Sequence, residues 1–245
     1  MSQMRWARNV RLGDWTVTLV DVRVTAKSLA DEKRRRAVLS PQEAETYNAL
    51  RFEKRRREWL AGRLAAKLAL RRRLRASGGT APPLARIGVS NRDGASGPPV
   101  SPIAGVVSIS HSHGLAAAVA GPTPVGVDIE RLRPFSASLR TVFLNDAERA
   151  WLGRAEAEQP ELPTLGWAFK EAFCKARLIG IQDGLPGPEW RGWDDNGRLL
   201  WRWPQEAAPR KKDAIFANWQ AHGRLIDDYA VVVVGASPKR KSERA

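Results

Sequence analysis

The segment PVGVDIERL, Pro124 to Leu132, constrains the chain more than any other. Val125, Val127 and Ile129 alternate with Gly126, Asp128 and Glu130, which is the period of a β-strand. Residues two apart on a strand point the same way, so Asp128 and Glu130 share a face. Two like charges on one face of an apolar strand repel each other and resist burial. The fold must therefore bring a positive partner to that face or end the strand in solvent. Arg131 and Arg133 are at hand for the second outcome. A hard divalent cation, which takes carboxylate oxygens and keeps several waters, would serve the first.

Around this strand the sequence alternates strand and helix signals. WTVTLVDVRV, Trp15 to Val24, reads as a strand. From Ser40, SPQEAETYNAL opens a long helical region with Ser at the N-cap, Pro at the first helical position and Glu two residues on. That region continues through RFEKRRREWLAGRLAAKLALRRRLRA until SGGTAPPL stops it. NRDGASGPPVSP is a loop, and GVVSIS and GLAAAVAG form a hairpin around HSH, with His111 just past the first strand. Beyond GVDIE, LNDAERAWLGRAEAE carries Asn145 as N-cap with Glu148 three residues on, and PTLGWAFKEAFCKARLIG follows. RLLWRW, AIFANWQA and YAVVVVGA are strand candidates, and SPKRKSERA is a polar, basic tail. Both halves thus mix strands and helices in a similar order, without a repeat at the level of residues. The expected class is α/β (α+β), with subdomains at residues 1–120 and 121–237 and a tail at 238–245.

Charge and cysteine usage narrow the setting. Lys plus Arg is 41 against 26 Asp plus Glu, a formal net charge of +15. Such an excess attracts polyanions: nucleic acid, an acidic membrane, a phosphorylated small molecule or an acidic protein. Cys174 is the single cysteine, so no internal disulfide is expected. The first residues lack the apolar core of a secretory signal, and no apolar run approaches the roughly 18 residues that cross a bilayer. A soluble cytoplasmic protein without membrane association is expected.

Three further stretches can carry chemistry. In WAFKEAFCKA, Trp167 to Ala176, Glu171 and Lys175 lie one helical turn apart. As an exposed pair they would be an ordinary surface salt bridge; partly buried, they could serve a metal and its phosphate ligand together. In SISHSHG, Ser108, Ser110 and Ser112 surround His111 in a donor-rich turn suited to a phosphate, without further ligands for a zinc site. The helix EKRRREWLAGR is either a solvated face or an electrostatic footprint, and Lys54, Arg57 and Arg63 are the residues that could reach a phosphate.

SHS, GVDIE and W-x-x-K-E-A-x-x-K-A, in this order and with the KRRxxWLAGR-like helix before them, resemble the 4'-phosphopantetheinyl transferase superfamily. More narrowly they are similar to its larger, monomeric type related to surfactin synthetase activators. The resemblance runs from about Phe52 to about Gly180.

The resemblance implies a pseudo-dimer of two similar subdomains, each a small, mainly antiparallel sheet on a long helix, with coenzyme A in the cleft between them. It implies Mg²⁺ (or Mn²⁺) on Asp128, Glu130 and Glu171, and coenzyme A phosphates on Lys175. Ser110 and His111 would lie near the 3'-phosphate, with Lys54 and Arg57 on the coenzyme-binding side. The implied reaction moves the 4'-phosphopantetheine arm to a serine of an apo acyl or peptidyl carrier protein and releases adenosine 3',5'-bisphosphate. Glu171 is the candidate general base, with Asp128 and Lys175 completing the catalytic set. The partner would be an acidic carrier of fatty acid, polyketide or nonribosomal peptide synthesis, met by a monomer that binds no nucleic acid. One departure stands out: where relatives often carry Gly-Lys-Pro, this chain has Gly97-Pro98-Pro99. It keeps open a relative that binds coenzyme A or a carrier without transfer. A nucleic-acid-binding protein, the rival suggested by charge, leaves the clustered carboxylates unexplained.

Overall fold

The structure, a computed structural model, describes residues 6–92, 97–103, 105–203 and 218–237. Two compact units meet in sequence at Pro122 and Thr123, with the turn Leu12–Asp14 grouped with the second.

The first unit opens with strands β1 (Ala7–Leu12) and β2 (Trp15–Asp21). The strand expected to reach Val24 stops at Asp21, whose side chain accepts from the Val24 amide at 2.8 Å. That bond caps helix α1 (Val22–Ser28) and turns the chain out of the sheet. A short α2 (Glu32–Arg36) precedes α3 (Pro41–Ala49) and α4 (Glu53–Ala76). The long helical region therefore breaks at 50–52, where Leu50 and Phe52 adopt extended backbone. Short strands β3 (Ser90–Asn91) and β4 (Pro99–Val100) lead to β5 (Val106–Ser112) and β6 (Leu115–Gly121).

The last two strands pair with Ser112 opposite Leu115, so His111 lies within β5 rather than beyond it. The hairpin closes through His113 and Gly114, both at positive φ (41° and 100°), as a two-residue turn requires. The sheet order is β1-β2-β6-β5, and α4 packs on β6, β2 and β5. Leu60, Leu64, Ala65 and Leu70 form its buried stripe against Val20, Ala116 and Ala118.

The second unit starts with β7 (Val125–Arg131) and continues through α5 (Ala137–Phe143), α6 (Asp146–Ala155), α7 (Leu162–Arg177) and α8 (Ile181–Gly184). Strands β8 (Glu189–Trp193), β9 (Leu199–Arg202), β10 (Trp219–Ile226) and β11 (Tyr229–Ala236) complete it. The sheet is antiparallel in the order β10-β11-β7, with α7 packed on β7 and β11. Phe169, Phe173, Leu165 and Ala172 of α7 fill the core with Val232 and Val234. The beginning of the expected strand AIFANWQA and the basic tail lie outside the described residues.

Each unit fastens its long helix with the same device. In the first, the Glu43 carboxylate closes a capping box by accepting from Ser40 N at 2.8 Å, and it also accepts from Val89 N at 3.1 Å. The fully buried Lys67 of α4 ion-pairs with Glu43 and donates to the Val38 and Leu84 carbonyls at 2.7 and 3.1 Å. In the second, Glu148 accepts from Asn145 N and Trp190 N, both at 2.8 Å. Lys170 of α7, fully buried, stands 2.7 Å from Glu148 and donates to the Pro188 carbonyl at 2.6 Å. A buried ion pair is tolerable only when its other donors and acceptors are met, and backbone groups meet them in both places.

Candidate active site

Gly126 sets the geometry of the second unit's site. A Cβ there would lie 2.0 Å from the Ala172 carbonyl oxygen, so only glycine lets α7 lie directly on β7. Asp128 and Glu130 share Gly126's parity and therefore its face. Close packing brings the last turn of α7 over Asp128, and Lys175 Nζ donates to Asp128 Oδ1 at 2.5 Å. The same ammonium stands 3.2 Å from Glu171 Oε2, one turn earlier on the helix. The Asp128 side chain is 1% exposed, Lys175 29% and Glu171 24%, so one cation joins a sunken carboxylate to one at the surface. The positive partner demanded by the acidic strand is thus a lysine of this chain.

The charges tune one another. Burial pulls the Lys175 ammonium down, but the Asp128 and Glu171 carboxylates outweigh it and hold its pKa above the ordinary lysine value. Burial pushes the neighbouring Cys174 thiol up to about 11, with the Glu171 charge adding to it. This cysteine therefore stays a protonated thiol at neutral pH.

Asp128 and Glu171 are hard oxygen donors converging on one point, a donor set that suits Mg²⁺. Glu130 lies on the same strand face and is half-buried. Among the described residues, no three His, Cys, Asp or Glu side chains are grouped to hold a metal. The fit is in donor chemistry and in two converging carboxylates, with the ammonium of Lys175 now between them.

In the first unit, His111 Nε2 lies 3.3 Å from Arg55 Nη1, and both line a cavity of about 270 Å³ with Trp59, Arg63, Asn91 and Pro99. Ser110 is buried on β5. Lys54 is 87% exposed and approaches Glu58 only to 4.0 Å, while Arg57 pairs with Glu53 at 2.8 Å on the solvent side. The structure places Arg55, rather than Lys54 or Arg57, against His111. In a run of four consecutive basic residues, only the helix's rotation against its sheet decides which one turns inward. A second cavity of about 800 Å³ shares Trp59, Arg63 and Asn91 and reaches Ser40 and Thr46. Lys170, the first lysine of the WAFKEAFCKA motif, belongs to the buried Glu148 pair and has no place at the site.

Part of the chain is similar to known proteins. Residues 124–234 match the family model described as the 4'-phosphopantetheinyl transferase superfamily. A relative named 4'-phosphopantetheinyl transferase psf-1, from Bacillus pumilus, is 32% identical over 103 residues. That match covers 42% of this chain and 44% of the relative, so the chain spans less than half of the relative it matches. The resemblance carried by GVDIE and WAFKEAFCKA is thereby shown. Among the described residues, no helix is long and apolar enough to cross a membrane.

Proposed function

We propose that this chain, whose residues 124–234 match the model of the 4'-phosphopantetheinyl transferase superfamily, moves the phosphopantetheine arm of coenzyme A onto a serine of an apo carrier protein. The observation that carries the proposal is the Asp128–Lys175–Glu171 cluster, in which one ammonium is shared by two carboxylates at 2.5 and 3.2 Å. A cation held there by fixed carboxylates can meet the charge of a pyrophosphate without reorganising, the dominant requirement in phosphoryl transfer.

The serine oxygen forms a bond to the coenzyme's β-phosphorus as the bond from that phosphorus to the bridging oxygen breaks. The bridging oxygen leaves with adenosine 3',5'-bisphosphate. Lys175 neutralises charge on the transferring phosphate. Glu171, the more exposed of the two carboxylates, takes the proton that the serine gives up. Asp128 keeps Lys175 charged and aimed. Asp128 and Glu171, with Glu130 beside them, would hold Mg²⁺, which supplies further charge neutralisation on the pyrophosphate when bound.

The nucleotide end of coenzyme A is assigned to the first unit, to the cavity bearing Arg55, Arg63 and His111. The repeated element order, the antiparallel β2-β6-β5 and β7-β11-β10 arrangements and the two Lys–Glu pairs support a pseudo-dimeric plan. A monomer acting on an acidic acyl or peptidyl carrier follows from the same reading, with the +15 charge accelerating encounter.

The test is mass spectrometry of an apo carrier incubated with the full chain, coenzyme A and Mg²⁺. A gain of about 340 Da, one phosphopantetheine group joined as an ester to serine, is expected. An unchanged mass across a panel of fatty acid, polyketide and peptide carriers would overturn the reading.

A further inference from the structure

His222 is the point where separate stretches of the second unit's chain meet. It lies on β10 opposite Val233 of β11 and is half-buried. The turn Leu12–Asp14, which belongs with this unit, reaches the ring through Gly13. A Cβ at Gly13 would stand 2.5 Å from both Cδ2 and Nε2 of the imidazole. Gly13 also has φ +54°, so this position needs glycine for its conformation as well as for its closeness. Its neighbour Asp14 accepts a hydrogen bond from Ser237 Oγ, just past β11. The turn between β8 and β9 arrives at the same place: Arg198 bridges to His222, and Gly223 N donates to Gly197 O at 2.7 Å.

The charges around the ring make it a poor place for another cation. Arg198 is of like sign, and Asp14 and Asp194 are the carboxylates near enough to oppose it. Both have other work: Asp14 serves Ser237, and Asp194 Oδ1 accepts from the Asn196 and Arg198 amides, each at 2.9 Å. On its own strand, the residues sharing the face of His222 are Gln220 and the exposed Arg224. From β11 that face receives Val231, Val233 and Gly235, which bring no charge. Burial, with Arg198 adding to it, holds the imidazole below its ordinary pKa of 6.5, and the two carboxylates offset only part of this. The ring that Gly13 packs on is therefore neutral at neutral pH and charges in mild acid.

We propose that His222 and Gly13 form an acid-sensitive latch: the neutral imidazole holds the turn Leu12–Asp14 on β10, and protonation of the ring releases it. A charged ring regains its hydration by leaving the contact, whereas a neutral ring loses packing if it leaves. The hold is complete above pH 6.5, the ordinary value, and weakens as pH falls from there toward the lower folded value. Over that interval opening becomes up to about tenfold easier per pH unit. The latch is separate from the proposed reaction centre and does not rest on the transfer reading. Asp128 is paired with Val232 and His222 with Val233, so their side chains leave opposite faces of the sheet.

Nuclear magnetic resonance of the full chain tests this. The Gly13 Hα signals are expected to be displaced by the ring current of His222 at about pH 7.5 and to move to random-coil positions by about pH 5. The move should share its midpoint, below 6.5, with the titration of the His222 Cε1 proton. His222→Phe keeps an aromatic ring that takes no proton, so its Gly13 signals should stay displaced across the whole range. If that variant folds poorly, His222→Gln gives the same test through amide exchange of Gly13 and Asp14, corrected for intrinsic rates. Protection there should fall with acid in the wild type and stay level in His222→Gln. Gly13 signals that stay still while His222 titrates overturn the latch. So does an acid response at Gly13 that persists unchanged in either variant.

Discussion

The Lys175 ammonium and the Asp128 carboxylate meet at 2.5 Å across the packing of α7 on β7, with Asp128 1% exposed. The Asp128 carboxylate would not be stable alone at that depth, because an unpaired buried charge forfeits its hydration. Position and charge at the proposed reaction centre are therefore one property of one contact.

Lys175→Met should cost about 2–3 kcal/mol of unfolding free energy, less than a fully buried pair because the lysine is partly solvated. Urea denaturation measures it. Millimolar Mg²⁺ should raise the stability of this variant more than that of the wild type, since it offers Asp128 and Glu171 a replacement cation. Equal Mg²⁺ effects on both would refute shared occupancy of the position.

The pH dependence has a definite sign. Lys175 binds its proton more tightly in the folded state than the ordinary value of 10.5. Its contribution is thus complete below pH 10.5 and is lost as pH rises through the higher folded value. The stability gap between wild type and Lys175→Met should stay level from neutral pH to that point and then close. A gap that closes below pH 9, well under the ordinary lysine range, would contradict the geometry.

Gly126→Ala places a methyl group 2.0 Å from the Ala172 carbonyl, and a helix backbone cannot yield as a side-chain tip would. A loss of about 3 kcal/mol or more is expected, together with loss of transfer as α7 lifts Lys175 away from Asp128. Thermal unfolding and the carrier mass assay report the two effects. An active, fully stable Gly126→Ala protein would show that α7 tolerates displacement.

Breaking either Lys–Glu pair from one side should be severe. Lys170→Met leaves Glu148 buried without its cation and is expected to cost about 3–5 kcal/mol. Adding Glu148→Gln, which keeps an oxygen for the Trp190 amide, should recover a substantial part. A double-mutant cycle in urea measures the coupling, and additive losses would mean the charges do not act as a pair.

Cys174 is buried, with its thiol pushed up to about 11. Iodoacetamide at pH 8 should modify the folded protein roughly a hundredfold more slowly than a free thiol of ordinary pKa. Release of this protection in urea should follow global unfolding. Rapid alkylation of the folded protein would place the α7 core closer to solvent than the structure does.

Much of the local structure was legible from short-range signals. The alternation of Val125–Glu130 marked β7, and the Ser40/Glu43 and Asn145/Glu148 spacings marked the starts of α3 and α6. What escaped depended on competition between neighbours. Asp21 ended a strand-like run because a capping side chain outbid the alternation, and β1 was missed because ARNVRL shows little apolar pattern. His111 entered β5 because a two-residue turn suffices to close that hairpin.

By itself the sequence determined which residue types could do chemistry and which lay one helical turn apart, such as Glu171 and Lys175. Those relations follow from backbone periodicity, which acts over about four residues. Only the tertiary structure decided that Lys175 answers Asp128, that Arg55 rather than Lys54 or Arg57 meets His111, and that Lys67 and Lys170 are buried fasteners. Those choices turn on how each helix is rotated against its sheet, and that rotation is fixed by the packing of apolar side chains distant in sequence. No local pattern of charge contains it.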